Sequence, residues 1–285
     1  MKLGIVTPVV TRLPRAHATW EAAAGIAEIE RVVVEAERLG YHHVTCSEHV
    51  AVPVEIAETR GGTYWDPLAV FGYLAGRTST IRFATFVLVL GYHHPLELVK
   101  RYGTLDEISG GRLILGVGVG SLQEEFELLG AEFADRGARG DDAIRALRAS
   151  FGHEEPEYHG THYDFGGVLV RPAGLQTPPP IWIGGRTERS LRRAVELGDG
   201  WAPFGLGLPQ IREMLAAGAP TDVLLQPEPP VDPVGDPDGT HAAVARLREA
   251  GATALNLRFV HHSVDHYCEQ LEAMQVLVSD EQPSG

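Results

Sequence analysis

The chain has 285 residues, 44% of them apolar, and its 38 acidic against 24 basic side chains give a formal charge of -14. That length and apolar content suffice for a sizeable core and suit a single α/β barrel domain, whereas the acidity disfavours nucleic acid and anionic membrane as main partners. Cys46 and Cys268 form no CxxC pair, which signals neither a disulfide framework nor a zinc site, and no apolar run suits a signal peptide or a membrane span, so a cytoplasmic protein is expected.

Apolar runs alternate with helical stretches from the start. A first strand is predicted over Leu3–Thr7. A helix follows over Glu21–Leu39, with Ile26, Ile29, Val33 and Ala36 at helical spacing and Gly40 as its stop. A second strand is predicted over His43–Ser47. Asp66 and Pro67 then open a helix through Ala75, the acid as N-cap and the proline in the first turn. Ile81–Leu88 reads as strand three, Pro95–Ile108 as a helix ending at Gly110-Gly111, and Arg112–Val117 as strand four. The order strand, helix, strand without hairpin turns predicts parallel pairing through right-handed crossovers.

After Gly120 the regularity weakens. Arg139–Phe151 reads as a helix, and residues 153–180 form a loop-rich insertion with short strands around Tyr158–Phe165. Strand five is predicted over Ile181–Ile183, followed by a helix over Arg189–Leu197. Strand six is Gly200–Pro203, then a helix over Pro209–Ala217, strand seven over Asp222–Gln226 and a helix over His241–Ala250. Strand eight is Ala254–Phe259, with a last helix over Val264–Val278. The fold expected is therefore a (β/α)8 barrel in one domain over residues 1–279, with the insertion between strands four and five. A disordered tail is expected over 280–285.

In such a barrel the C-terminal ends of the strands face the active site. Strand two ends in Ser47-Glu48-His49, which makes His49 a candidate acid–base or hydrogen-bonding group, a packing histidine being the alternative. The ladder Gly116-Val117-Gly118-Val119-Gly120 has two readings: a phosphate cradle, or a tight turn in which Ser121 caps a helix and Glu124 closes a capping box. It is not a dinucleotide fingerprint, because Ser121 stands where the third glycine is needed. Gly184-Gly185-Arg186-Thr187 combines close backbone approach, a guanidinium and a helix N-terminus, all attractive to phosphate, or else is a plain loop capped by Thr187. Tyr64 and Trp65 wall a pocket or cover a core edge. His93-His94 and His261-His262 lie at the same mouth as rim polarity, Arg136 and Arg139 read as solvated loop charges or as contacts to an acidic tail, and no spaced ligand cluster suggests a metal.

Several ordered motifs carry a resemblance. Ala36 to Tyr41 leads to Ser47-Glu48-His49. His94-Pro95-Leu96, Thr104-Leu105-Asp106, Ser109-Gly110-Gly111-Arg112 and the glycine ladder follow, then Pro180 to Gly185 and Leu197-Gly198-Asp199-Gly200-Trp201. Together they resemble the luciferase-like monooxygenase superfamily, and within it the F420-dependent oxidoreductase branch. The resemblance implies a barrel binding F420, or alternatively FMN, at the strand tips. Gly184, Gly185 and Arg186 then hold the phosphate, Gly118 and Gly120 line the cofactor tail, and His49 lies near the ring as the catalytic residue. A cis peptide is implied at Phe86–Val87 behind that ring. Glu48, Tyr64, Trp65, His94 and Ser121 are expected around the substrate, and a homodimer is expected from the family. Relatives that oxidise sugar phosphates carry a glutamate where this chain has Ser121, which speaks against that activity. The expected function is hydride transfer between F420 and a small organic substrate. The alternatives are monooxygenation with reduced FMN and O2, and a non-catalytic flavin-binding barrel.

Overall fold

The computed structural model describes residues 1–14 and 17–279, so the tail expected at 280–285 lies outside the described residues. Eight strands form the barrel: β1 (Lys2–Val6), β2 (His43–Cys46), β3 (Arg82–Thr85), β4 (Leu113–Gly118), β5 (Ile181–Gly184), β6 (Gly200–Ala202), β7 (Asp222–Leu225) and β8 (Ala254–Leu257). Each pairs in parallel with its neighbours in sequence order, and β8 pairs with β1, which closes the ring. The helices are α1 (Ile26–Arg38), α2 (Val54–Arg60), α3 (Pro67–Ala75), α4 (Pro95–Ser109), α5 (Gln123–Leu128), α6 (Arg136–Ser150), α7 (Glu188–Leu197), α8 (Leu208–Leu215), α9 (Pro237–Glu249) and α10 (Val264–Ser279). Among the described residues no helix is long and apolar enough to cross a membrane, and no group of His, Cys, Asp and Glu is placed to hold a metal ion.

Local chemistry sets the boundaries. Asp66 caps α3 by accepting from the Ala69 amide at 2.8 Å, with Pro67 at the first helical position, and α4 stops at Gly110 with φ +70°. α1 starts later than the helix predicted from Glu21. Thr19–Ala22 is a separate 3-10 turn, and the Glu21 carboxylate turns inward to accept from the Val9 and Ala18 amides at 2.8 and 2.7 Å. Glu28 then accepts from the Gly25 amide at 2.7 Å and starts α1 there. The expected strand Ile81–Leu88 is interrupted. The Phe86–Val87 peptide is cis, and Leu88–Val89 pairs afresh beside Val117 and Gly118 of β4.

Inside the barrel Ala84, Ile114, Trp182, Ala202, Leu224 and Ala254 form one apolar layer, with Phe86 packed against it. The large Trp182 is offset by three alanines, Ala84, Ala202 and Ala254, as filling a narrow barrel requires. The buried His43 ring meets Trp182 edge-on at 5.1 Å and lies over Gly4, where any Cβ would fall 2.2 Å from the imidazole. The insertion carries the hairpin Tyr158–His159 and Asp164–Phe165. Asp142 of α6 fastens it through the Tyr158 hydroxyl and the His162 and Tyr163 amides, at 2.5, 2.6 and 3.1 Å, which holds it against the helical layer.

Candidate active site

At the C-terminal ends of the strands a cavity of about 300 Å³ opens. Its walls come from the β2 tip (Ser47, Glu48, His49), the cis segment (Phe86, Val87) and the β4 tip (Gly118, Gly120, Ser121), with Gly184 and Gly185 after β5 and Phe204 beyond β6. Thr11, Leu13 and Tyr64 close it from above, on a small antiparallel pairing of Thr11–Arg12 with Thr63–Tyr64 that the sequence reading missed. Of the residues singled out there, this cavity unites His49, Glu48, Tyr64, Phe86, Val87, Gly118, Gly120, Ser121, Gly184 and Gly185.

Three residues lie elsewhere. Trp65 follows Tyr64 directly, so its side chain takes the other face of the strand; it packs against the core. His94 caps α4 by accepting from the Leu96 amide at 3.2 Å and sets its ring against Tyr163 and Phe165. Arg186 is exposed beside the rim, its guanidinium 6.0 Å from the Phe204 ring. The insertion contributes no wall residue between 153 and 178.

The glycines at the tips are there first for packing. A Cβ on Gly118 would fall 2.8 Å from Val87 Cγ2, and one on Gly184 would fall 2.9 Å from Val87 Cγ1. The Val87 side chain is thus wedged between the tips of β4 and β5. Gly120 has φ +79° and its Cβ would meet Phe126 and Val89. Thr187 caps α7 by accepting from the Ser190 amide at 3.2 Å, which leaves the positive end of that helix next to Gly185. Arg136 is no solvated charge: it donates to the Gly120 carbonyl at 3.2 Å and lies over the Phe133 ring at 3.8 Å.

His49 is held from behind by Glu125, which the sequence reading missed. Glu125 is fully buried. Its carboxylate accepts from His49 Nδ1 at 2.6 Å, from the Val50 and Ala51 amides at 2.6 and 3.0 Å, and from the Tyr92 hydroxyl at 2.8 Å. Burial pushes this carboxyl up, but the bonds from His49, Ala51 and Tyr92 outweigh burial and hold it below the ordinary carboxylate value. With Nδ1 donating to a carboxylate, His49 has Nε2 without a protein partner among the described residues. Its ring sits 4.5 Å from that of Tyr64. α5 begins at Gln123 with Leu122 as N-cap and no side-chain cap, so the capping box of Ser121 and Glu124 does not form. The short helix instead serves to deliver Glu125.

A second pair sits beside the first. Glu48 accepts from His93 Nε2 at 2.8 Å and from the Val89 amide at 2.7 Å. Burial pushes His93 down, but the Glu48 carboxylate outweighs it and holds the imidazole above its ordinary value. His93 is therefore turned inward as the partner of a cavity carboxylate, while its neighbour His94 faces out. The walls offer apolar faces from Leu13, Phe86, Val87, Val89 and Val119, with a helix N-terminus and Arg186 at one edge. Those residues fit a flat ring with an anionic tail.

Residues 1–219 match the luciferase-like monooxygenase family, and the chain belongs to that family. An uncharacterized protein of Mycobacterium tuberculosis is 33% identical over 182 residues, covering 60% of this chain and 62% of that protein, so the match leaves more than a third of the relative unspanned. Among solved structures, the monooxygenase RslO1 from Streptomyces bottropensis superposes with a TM-score of 0.80 at 22% identity, covering 98% of this chain and 99% of that one. The coenzyme F420-dependent tetrahydromethanopterin reductase of Methanopyrus kandleri gives 0.74 at 15%, with coverage of 98% and 99%. The oxygenating constituent of 3,6-diketocamphane monooxygenase from Pseudomonas putida, in complex with FMN, gives 0.73 at 17%, covering 99% of both chains. At these identities the structural likenesses show the shared barrel.

Proposed function

We propose that this chain is an F420-dependent oxidoreductase moving a hydride to or from a small organic substrate, with His49 as the proton donor or acceptor. The observation that carries the reading is His49: a carboxylate-held imidazole with its Nε2 unpartnered, on the wall of the same cavity that the β4 and β5 tips line. Gly184, Gly185, Arg186 and the start of α7 would hold a phosphate. Phe86, Val87, Gly118 and Gly120 would border the coenzyme. When bound, F420 supplies the two-electron hydride chemistry.

The chain's own residues supply the rest. Glu125 fixes the His49 tautomer with the proton on Nδ1, so Nε2 is free to take a proton from a substrate hydroxyl or, once protonated, to return it. The apolar walls exclude water and hold the reacting groups close. A cavity of about 300 Å³ lies at the small end of ligand sites, which suits the ring and a compact substrate with the coenzyme tail crossing the rim. A homodimer, checked by light scattering, belongs to the same proposal.

The second reading, oxygenation with reduced FMN and O2, is favoured by the FMN-bound structural neighbour and the monooxygenase RslO1. A parallel titration of the purified protein with F420, FMN and NADPH separates the two. F420 binding at micromolar or tighter affinity supports the proposal; FMN binding alone transfers it to the second reading.

A further inference from the structure

Around the cavity the charged groups are not equally committed. Glu48 already accepts from His93 and a backbone amide, and Glu125 from His49, Tyr92 and two amides. Arg136 is engaged by Gly120 and Phe133. Arg60, the last residue of α2, differs. Among the described residues no acidic side chain pairs with it, although the chain carries an excess of 14 negative charges. Among the described residues the one hydrogen bond of its guanidinium runs from Nη1 to the neutral Ser121 hydroxyl on the cavity wall, at 3.3 Å.

Its main chain is clamped. The Tyr64 hydroxyl donates to the Arg60 carbonyl at 2.8 Å. The next residue, Gly61, has φ +83° and approaches the Arg12 backbone so closely that a Cβ would fall 2.4 Å from the Arg12 carbonyl oxygen. The Arg60 backbone is thus held at a set place and its exposed side chain reaches Ser121, while α2 itself buries no residue and leaves Val54 85% exposed. Burial pushes the cavity-lining Tyr64 and Tyr92 phenols up, and the Arg60 charge pulls each partly back. Arg60 is exposed and not itself part of the cavity lining; it touches the wall residues Tyr64 and Ser121.

A guanidinium offers five N–H donors in a fork that matches a carboxylate in bidentate fashion. We infer that the substrate is a small organic carboxylate, its anionic end gripped by Arg60 and the Ser121 hydroxyl and its body directed toward His49. This rests on the cavity being the joint coenzyme and substrate site. It assigns Arg60 as the specificity-determining residue.

The test is calorimetric titration of the full-length protein and its R60Q and R60K variants with benzoate and hexanoate against benzamide and hexanamide, with F420 titrated in parallel. The carboxylates are expected to bind the unmodified protein at least about tenfold more tightly than the amides. R60Q should lose that preference without changing amide binding, and R60K should retain part of it. F420 affinity should be the same in all three proteins. The inference is overturned if amides match carboxylates, if no carboxylate binds in the millimolar range, if R60Q keeps the preference, or if R60Q weakens F420 instead. Should F420 fail to bind the unmodified protein, the coenzyme reading falls separately, whatever the carboxylates do.

Discussion

Single residues carry the acid–base proposal, and at that scale Glu125 matters as much as His49. Removing the imidazole in His49→Ala should lower turnover by about 10²–10⁴-fold while leaving coenzyme affinity near its original value; a rate within a few-fold removes the acid–base role. Glu125→Gln keeps the shape but loses the charge that orients Nδ1, so turnover should fall by about 10- to 100-fold. The protected His49 Nδ1 proton signal should weaken with it, and a variant with both rate and signal intact contradicts the positioning role. His49 was legible because it lies just beyond a strand of a recognisable barrel. Glu125 was not, since its partner is 76 positions away and it rides on a six-residue helix without apolar periodicity. The adjacent pairs Tyr64-Trp65 and His93-His94 show the same limit: sequence names the pair, but only the local backbone decides which member turns inward.

At the scale of elements, the interlock of the cis segment with β4 and β5 is the feature most open to measurement. Gly118→Ala brings a methyl onto Val87 Cγ2 and should cost about 1–3 kcal/mol of stability. The Val87→Ala background should relieve most of that cost, because the two side chains compete for one space. Gly116→Ala is different: its Cβ would fall 1.8 Å from the Thr85 carbonyl oxygen, a backbone atom that Val87→Ala cannot move aside. Urea unfolding of these single and double variants reads the coupling, and strictly additive losses at Gly118 and Val87 would contradict the wedge. The sequence showed the ladder but offered a phosphate cradle or a tight capped turn as its readings, and packing against Val87 was neither. What it lacked was the neighbour, since Val87 and Gly184 are separated from the ladder by other strands or helices and meet it only across the closed sheet.

At the scale of the whole molecule, buried histidines set the response to acid. Burial, joined by the charges of Lys2 and Arg82, lowers His42 to about 4, and burial with the neighbouring His266 lowers His261 to about 4. Both groups bind protons more readily in the unfolded chain, so stability should fall as pH drops from about 6.5 toward about 4. Carboxylates held low, Glu125 among them, extend the loss below that. His93, held above its ordinary value, acts in the opposite sense and favours the fold below about 6.5. Urea midpoints should therefore be lower at about pH 5 than at about pH 7.5; a flat profile across that window would contradict the assignment. The eight-strand order was readable because parallel strands buried on both faces leave continuous apolar runs. The roof over the mouth was not, because α2 and the Thr11–Arg12 pairing with Thr63–Tyr64 are short and lack a repeating pattern.

One claim joins the three scales: the strand tips form a coenzyme site with an imidazole on its wall. A crystal structure of the protein grown with F420 tests this most directly. The ring is expected in the cavity between Val87 and His49, with the phosphate at Gly185 and the start of α7. A ligand bound elsewhere on the barrel, or a ring turned away from His49 Nε2, would contradict it.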